Sequence, residues 1–367
     1  MPDTLPPVWE IEEQTKAKHQ ILEEYLKAWF PIIGRWQGRI LYVDGFAGPG
    51  TYKNGEDGSP IIAIRTALEH NMLSENTKIT FAFIEQNKER SEILKKILKE
   101  KFTNLPDRFY YEVDTSEFTK RLGTLLDIID ADGAKLAPTF AFLDPFGYSD
   151  IPITLIGRFL EHEKCEVLIT FMTGFVNRFL DPTHERAITA LYGSEKWKEA
   201  RLITETNERL NFLLNLYIEQ LQIVTGVKYV RSFRMIRSDN HEVYNLIFCT
   251  NHWKGLEVMK KAMLKVDRRG TYTFSGRLGF AQTFLFDNTD ESTWMPQIAQ
   301  KIFQRFKGQT VNVEAIHKFV ITDTDNIFKK EILKYLEKQN PSLILNVTKR
   351  KTKALSYPDG CHIQFAS

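Results

Sequence analysis

The chain has 367 residues, room for about two domains at ~150 residues each, and its 43% hydrophobic and 26% charged content excludes disordered, collagen-like and low-complexity classes. Its 49 Lys and Arg against 47 Asp and Glu give a net charge of only +2, yet residues 291–367 carry 12 basic and 7 acidic side chains, leaving a mildly acidic body and a basic tail. Cys165, Cys249 and Cys361 lie 84 and 112 residues apart, which fits neither a disulfide framework nor a metal-ligand set. The opening MPDTLPPVWEIEEQTK is unlike a signal peptide, and no apolar run approaches a membrane span, so the expectation is a soluble cytoplasmic protein without a membrane partner.

From about Glu12 to Trp36, Ile21, Leu22, Tyr25, Leu26, Trp29, Phe30 and Ile33 recur at three- and four-residue spacing and predict an amphipathic helix. Lys18 and His19 on it read as a solvated face, with a cover over a bound ligand as the second reading. Residues 39–44 (RILYVD) read as a short buried strand running into the loop Gly45-Phe46-Ala47-Gly48-Pro49-Gly50. A second loop at 51–58 ends at Ser59-Pro60, where a helix should start. Three further apolar runs, 77–85, 108–114 and 138–144, each end in an acid: Glu85, Asp114 and Asp144. A strand at 165–172 precedes a long helical region to about Gly226, and 231–239 with 243–251 predict a hairpin around Asn240-His241. Alternation of strand and helix predicts an α/β fold, a mostly parallel sheet with helices on both faces and one antiparallel strand at its edge.

After Gly270 the pattern changes to three short helical segments, then LILNVTK and CHIQF around a Lys/Arg-rich connection. Three helices and a two-stranded wing in residues 291–367 predict a winged helix-turn-helix, with residues 1–290 as the body. Lys349, Arg350, Lys351 and Lys353 fall in the wing, and Lys329, Lys330, Lys334 and Lys338 along the third helix, a distribution suited to phosphates.

Glycines let backbone approach a ligand beyond the carboxyl end of a strand. Gly45, Gly48 and Gly50 stand there, although many strand-to-helix turns use glycine merely to bend. Glu85 could accept hydrogen bonds from ribose hydroxyls and Asp114 could meet an adenine amino group. The 35 residues from Gly50 to Glu85 exceed the ~20 of a plain dinucleotide fingerprint, and the loop at 51–58 accounts for part of the excess. Asp144-Pro145-Phe146-Gly147 is the most specific element: a carboxylate, a rigid turn and an aromatic plane suit a planar base, Asp144 accepting from an exocyclic amine while Phe146 stacks. Asn177 and Arg178, and Arg268, Arg269 and Tyr272, are weaker candidates for substrate phosphate. Asn251-His252 reads as a helix cap.

Asp44-Gly45-Phe46-Ala47-Gly48-Pro49-Gly50 resembles motif I (FxGxG) of S-adenosylmethionine-dependent DNA and RNA methyltransferases, with Glu85 and Asp114 at the next two motif positions. Asp144 to Gly147 resembles their D-P-P-Y motif IV and, more closely, the D-P-F-G of tRNA guanine-N2 dimethyltransferases. The second proline is missing. Cytosine C5 chemistry needs a cysteine beside the motif IV proline, and Asp144 stands there instead. More widely, Thr15-Lys16-Ala17-Lys18-His19 through Tyr25-Leu26-Lys27-Ala28-Trp29, YVDGFAGPG with the following GSP, FLDPFG, and CTNHWKGLEVMKKAM at 249–263 are similar to the three-Cys-motif partner proteins (TcmP), over about the first 290 residues. The resemblance implies a bacterial, Rossmann-like class I methyltransferase fold with a C-terminal winged helix, S-adenosyl-L-methionine as cofactor, and a separate radical-SAM-like partner that carries the three-cysteine motif. The expected activity is N-methylation of a nucleobase amine. Two other readings stay open, a non-catalytic nucleotide-binding adaptor that recruits the partner to nucleic acid, and a winged-helix DNA-binding regulator.

Overall fold

The computed structural model describes residues 6–35, 38–145, 151–237, 242–267, 273–275, 291–350 and 354–367. The chain divides into two compact units, the first comprising the described residues up to Val266 with Thr273–Ser275, the second Asp267 and those from Glu291 onward.

The first unit is an α/β sandwich. Helix α1 (Glu13–Gly34) leads to β1 (Arg39–Asp44) and α2 (Ser59–Leu68), followed by β2 (Lys78–Ile84), α3 (Lys88–Lys101), β3 (Phe109–Asp114), α4 (Phe118–Ala131) and β4 (Thr139–Leu143). Then come α5 (Ile153–Leu160), β5 (Glu166–Phe171), α6 (Thr173–Arg178), α7 (Glu185–Tyr192), α8 (Thr206–Thr225), β6 (Tyr229–Ile236), β7 (Glu242–Thr250), α9 (Trp253–Val266) and β8 (Thr273–Ser275). The sheet order is β3-β2-β1-β4-β5-β7-β6-β8. Its first five strands are parallel, in the arrangement of a doubly wound sheet. Every residue of β4 and β5 is buried, as continuous apolar runs inside a two-sided parallel sheet require.

The hairpin is present, but the antiparallel strand is not at the edge. β7 is inserted between β5 and β6, antiparallel to both. β6 therefore runs parallel to β5, and β8 pairs parallel outside β6. The long α8 crossover carries β6 past the open edge, leaving a gap that the returning β7 fills. Side chains alternate between the faces. Tyr42 packs against Phe81, Phe83 and Phe140, and Phe140 in turn against Tyr25 and Trp29 of α1. Val43, Ala141, Leu143, Val167 and Ile169 join the core of α4, α5 and α8 on the other face.

The second unit holds helices Glu291–Phe306, Val313–Asp323 and Lys330–Glu337 with a three-stranded antiparallel sheet in which His362–Phe365 lies between Ile344–Val347 and Thr310–Asn312. Its core gathers Ile302, Ile316, Leu333, Leu336, Ile363 and Phe365. The sequence pattern missed the short strand Thr310–Asn312, because three residues are too few for a period-2 signal. Among the described residues no helix is long and apolar enough to cross a membrane, and no cluster of side chains suited to a metal ion occurs.

Candidate active site

Asp44, Glu85, Asp114 and Asp144 follow the same geometry: each stands at the carboxyl end of a parallel strand. β1 pairs with β2 on one side and β4 on the other, and successive connections leave in opposite directions there, so the ends of β1 and β4 form the switch point where open α/β sheets bind ligands.

The loop after β1 is pinned by backbone. The Gly45 amide donates to Phe142 O at 2.9 Å and the Ala47 amide to Ile84 O at 2.9 Å. Gly48 and Gly50 take φ of +62° and +77°, in the left-handed region that favours glycine. At Gly45 the reason for glycine is contact, since a Cβ would lie 2.7 Å from Phe118 and 2.8 Å from Leu143. At Gly48 the space is open, the nearest neighbour of an added Cβ being the Trp9 indole at 3.9 Å. Trp9 is itself tied to this region: its carbonyl accepts from the Lys53 amide at 2.8 Å and its ring meets Tyr52 edge-on.

Glu85 is buried, and both of its oxygens bind backbone: Oε2 accepts from the Gly48 amide at 2.8 Å and Oε1 from the Asn87 amide at 2.7 Å. A carboxylate oxygen can accept more than one hydrogen bond, so a residue at this position can serve the loop and a ligand hydroxyl together. Asp44 is fully buried; burial pushes its carboxyl up to about 7, hydrogen bonds from Ser59 and the Phe46 amide oppose this, and Asp144 and Glu85 add to it. Asp114 pairs with Arg121 Nε at 2.7 Å, beside an apolar pocket lined by Val43, Ala82, Ile84, Phe118 and Leu122.

The structure overturns the solvated reading of α1. Lys18 and His19 are 4% and 6% exposed. Both extend the buried stripe Gln14, Leu22, Tyr25 and Trp29, since positions three and four apart share a helix face. Lys18 Nζ lies 2.5 Å from Asp144 Oδ2 and 4.9 Å from the centre of the Tyr244 ring. His19 packs on Tyr52, and its Nδ1 is buried without a hydrogen-bond partner among the described residues. Burial, reinforced by Lys18, holds this imidazole down to about 3, so it is neutral at neutral pH. A buried polar atom left unpaired costs ~1–3 kcal/mol, whichever tautomer the ring holds. This orphan, an open glycine loop and acids at the neighbouring strand ends together fit a nucleoside-type cofactor with a polar tail.

Pro145 is buried beside Asp144, while Phe146 and Gly147 lie outside the described residues. Asn177 accepts from Arg209 Nε at 2.6 Å, and His252 Nδ1 accepts from the Lys254 amide, as a cap does. Arg268, Arg269 and Tyr272 lie outside the described residues. In the second unit Lys349 is exposed, whereas Arg350 is committed internally, its guanidinium forked on Glu337 at 2.6 and 2.7 Å. Lys351 and Lys353 lie outside the described residues.

No protein-family model and no curated protein matches the chain. Among solved structures it is similar to Trm1 from Pyrococcus horikoshii in complex with S-adenosyl-L-methionine, with a TM-score of 0.38 and 14% identity over 71% of this chain and 62% of that one. It is also similar to a dimethyladenosine transferase from Plasmodium falciparum (TM-score 0.30, 10% identity, 91% of this chain and 98% of that one). A third is the precorrin-6y C5,15-methyltransferase from Geobacter metallireducens (0.29, 12%, 62% and 87%). The chain thus spans less than two thirds of Trm1. At these TM-scores the neighbours carry no functional argument, which rests on this chain's own residues.

Proposed function

We propose that the protein is an S-adenosyl-L-methionine-dependent N-methyltransferase acting on an exocyclic amine of a nucleobase in DNA or RNA. One observation carries the reading: Asp144 ends β4 at the switch point beside the β1 glycine loop, its carboxylate fixed by a buried lysine. The cofactor supplies an electrophilic methyl on a sulfonium. The backbone of Gly45 to Gly50 holds the methionine end, with Asp44, Phe46 and Ala47 shaping that loop, Glu85 takes the ribose hydroxyls and Asp114 the adenine amino group. Asp144 accepts an N–H of the amine while Pro145, Phe146 and Gly147 frame the base. With the cofactor bound, the amine lone pair would be directed at the sulfonium methyl, a neutral thioether would leave, and the surplus N–H proton would pass to solvent. Asp144 therefore serves by orientation rather than as a strong base.

Calorimetry with S-adenosylmethionine and its demethylated product tests the reading, together with transfer of labelled methyl to unfractionated tRNA and to genomic DNA. Asp144→Ala is expected to keep cofactor binding and lose transfer. Absence of binding for both molecules sinks it.

For the second unit we infer a winged helix-turn-helix that holds nucleic acid through Lys349, Lys351 and Lys353. The sheet Ile344–Val347/His362–Phe365 and the basic connection between its strands favour this. Pairing with a radical-SAM-like three-Cys-motif protein is supported by the motif resemblance, and co-purification of the two chains tests it. Such co-purification, with cofactor binding but no methyl transfer, favours the adaptor reading instead.

A further inference from the structure

We propose that Lys18 is a positioning residue that fixes the Asp144 carboxylate for the substrate amine, so that helix α1 completes the base site. The proposal rests on the methyltransferase reading above and adds to it a residue from the first helix, far from Asp144 in sequence.

Lys18 is 126 positions from Asp144 in sequence, yet its ammonium reaches Oδ2 at 2.5 Å. The two partners are unequally exposed: the Lys18 side chain is 5% accessible and that of Asp144 21%. A lysine buried to this degree requires a counter-charge, because an ammonium stripped of water without one is costly. Its stem is held by α1, whose neighbouring Leu22, Tyr25 and Leu26 are fully packed, and its ammonium stands over the Tyr244 ring, which supplies a second favourable contact for a cation. Tyr244 is fixed in turn, its hydroxyl donating to Gln14 O at 3.0 Å. The lysine is thus the rigid partner and the carboxylate the one being held.

The consequence lies at the other oxygen. Asp144 Oδ2 is taken by Lys18, and Oδ1 makes no hydrogen bond among the described residues. The half-buried carboxylate is left with one oxygen anchored and one to accept an N–H from a substrate. A carboxylate free to rotate would present either oxygen in many orientations. Pinning one of them restricts the amine to the geometry in which its lone pair meets the methyl, the kind of preorganisation in which small misplacements cost large factors in rate. Lys18 acts through Asp144 and needs no contact with the reacting atoms.

The experiment uses the full chain, with tritiated S-adenosylmethionine and either unfractionated tRNA or genomic DNA as acceptor, whichever the wild type methylates. Lys18→Met is expected to lower kcat by about tenfold to a hundredfold while cofactor affinity by calorimetry stays within about threefold. Lys18→Arg, which keeps a cation, is expected to recover to within about tenfold of wild type. Asp144→Asn should lose at least as much as Lys18→Met, and the double variant no more than Asp144→Asn alone, the non-additivity of two groups acting as one. Thermal melts and cofactor titration of each variant verify that it folds. Full kcat in Lys18→Met, or losses that multiply in the double variant, overturns this role while leaving the methyltransferase reading intact. A wild-type chain that binds cofactor and methylates neither nucleic acid overturns both.

Discussion

The Gly48 amide donates to Glu85 Oε2 at 2.8 Å, so the acid at the end of β2 is a strut of the glycine loop as well as a candidate ribose ligand. The other oxygen takes the Asn87 amide, which orders the start of α3. Glu85→Gln offers one carbonyl oxygen and one NH2 where two backbone donors need acceptors, leaving one amide unpaired at a cost of ~1–3 kcal/mol. Cofactor affinity measured by calorimetry is expected to fall about tenfold or more in Glu85→Gln, and further in Glu85→Ala. Unchanged affinity in both variants would remove Glu85 from the cofactor site.

The glycines separate folding from binding. An added Cβ at Gly45 would lie 2.7 Å from Phe118, inside the core, so Gly45→Ala should destabilise by about 1–3 kcal/mol through overpacking. Gly48→Ala meets nothing closer than Trp9 at 3.9 Å and pays mainly for its left-handed φ, about 1–2 kcal/mol. The expectation is that Gly48→Ala stays folded but binds cofactor weakly, its methyl standing in the open space over the loop, whereas Gly45→Ala melts early. Thermal melts beside cofactor titrations distinguish the two. Equal melting losses with equal affinities would refute the distinction.

The four strand-end acids were legible because a short apolar run closed by Asp or Glu before a Gly or polar loop marks where a buried strand emerges. Lys18 and His19 were not legible by the same logic: their residue types suggested solvent, while the stripe Gln14, Lys18, Leu22, Tyr25 and Trp29 put them under cover. Helical spacing places a residue on a face, but only the tertiary fold shows which face another element covers. The Lys18–Asp144 pair is the clearest case, since no local pattern links α1 to the end of β4. The alternation of strand and helix made the parallel character of the sheet legible up to β5, though not the order of its strands. The insertion of β7 between β5 and β6 was not legible either, because a hairpin pattern states which two strands pair and leaves open which of them meets the rest of the sheet.

The raised carboxyl of Asp44 carries a definite pH signature. Its folded value of about 7 lies above the usual Asp value near 3.9, so its protonated form is favoured by folding. The stability that this proton contributes is full below pH ~4, declines as pH rises, and is lost as pH passes through about 7. Neutral, buried His19 has the opposite sign, costing stability as pH falls below ~6.5, so whole-protein melts mix the two. Comparison with Asp44→Asn isolates the first: wild type minus variant should be more favourable at pH 5 than at pH 8, by an amount on the order of a few kcal/mol. Urea unfolding at both pH values measures it, and a pH-independent difference would contradict the raised carboxyl.

In the second unit two adjacent basic residues have different tasks. Arg350 forks onto Glu337, whose carboxylate it holds below the usual range with help from the Tyr357 hydroxyl, so it anchors the connection between the last two strands to the helix Lys330–Glu337. Arg350→Ala should cost about 1–3 kcal/mol of that unit's stability. Lys349 is exposed, and Lys349→Gln should leave melting unchanged while lowering the salt slope of duplex binding by about one. Fluorescence anisotropy across a salt series reads the slope, and a full slope in Lys349→Gln removes this lysine from the interface.

At the opposite end of the sheet, Tyr25 and Glu166 provide a control for the site. Glu166 opens β5, at the amino ends of the parallel strands, away from Asp44, Glu85, Asp114 and Asp144. It is buried, its oxygens accepting from Tyr25 at 2.5 Å and Thr250 at 2.6 Å, and burial pushes its carboxyl up against the pull of those donors. These bonds tie α1, β5 and β7 together in the core, so they bear on folding and not on the cofactor. Tyr25→Phe removes one donor from a buried acid and should cost ~1–3 kcal/mol. At roughly 2–4 °C per kcal/mol for a unit of this size, melting should drop by several degrees. Cofactor affinity at a temperature well below the transition should be unchanged. A loss of affinity without a loss of melting temperature would mean that the Tyr25–Glu166 bond bears on the cofactor site and not on folding alone.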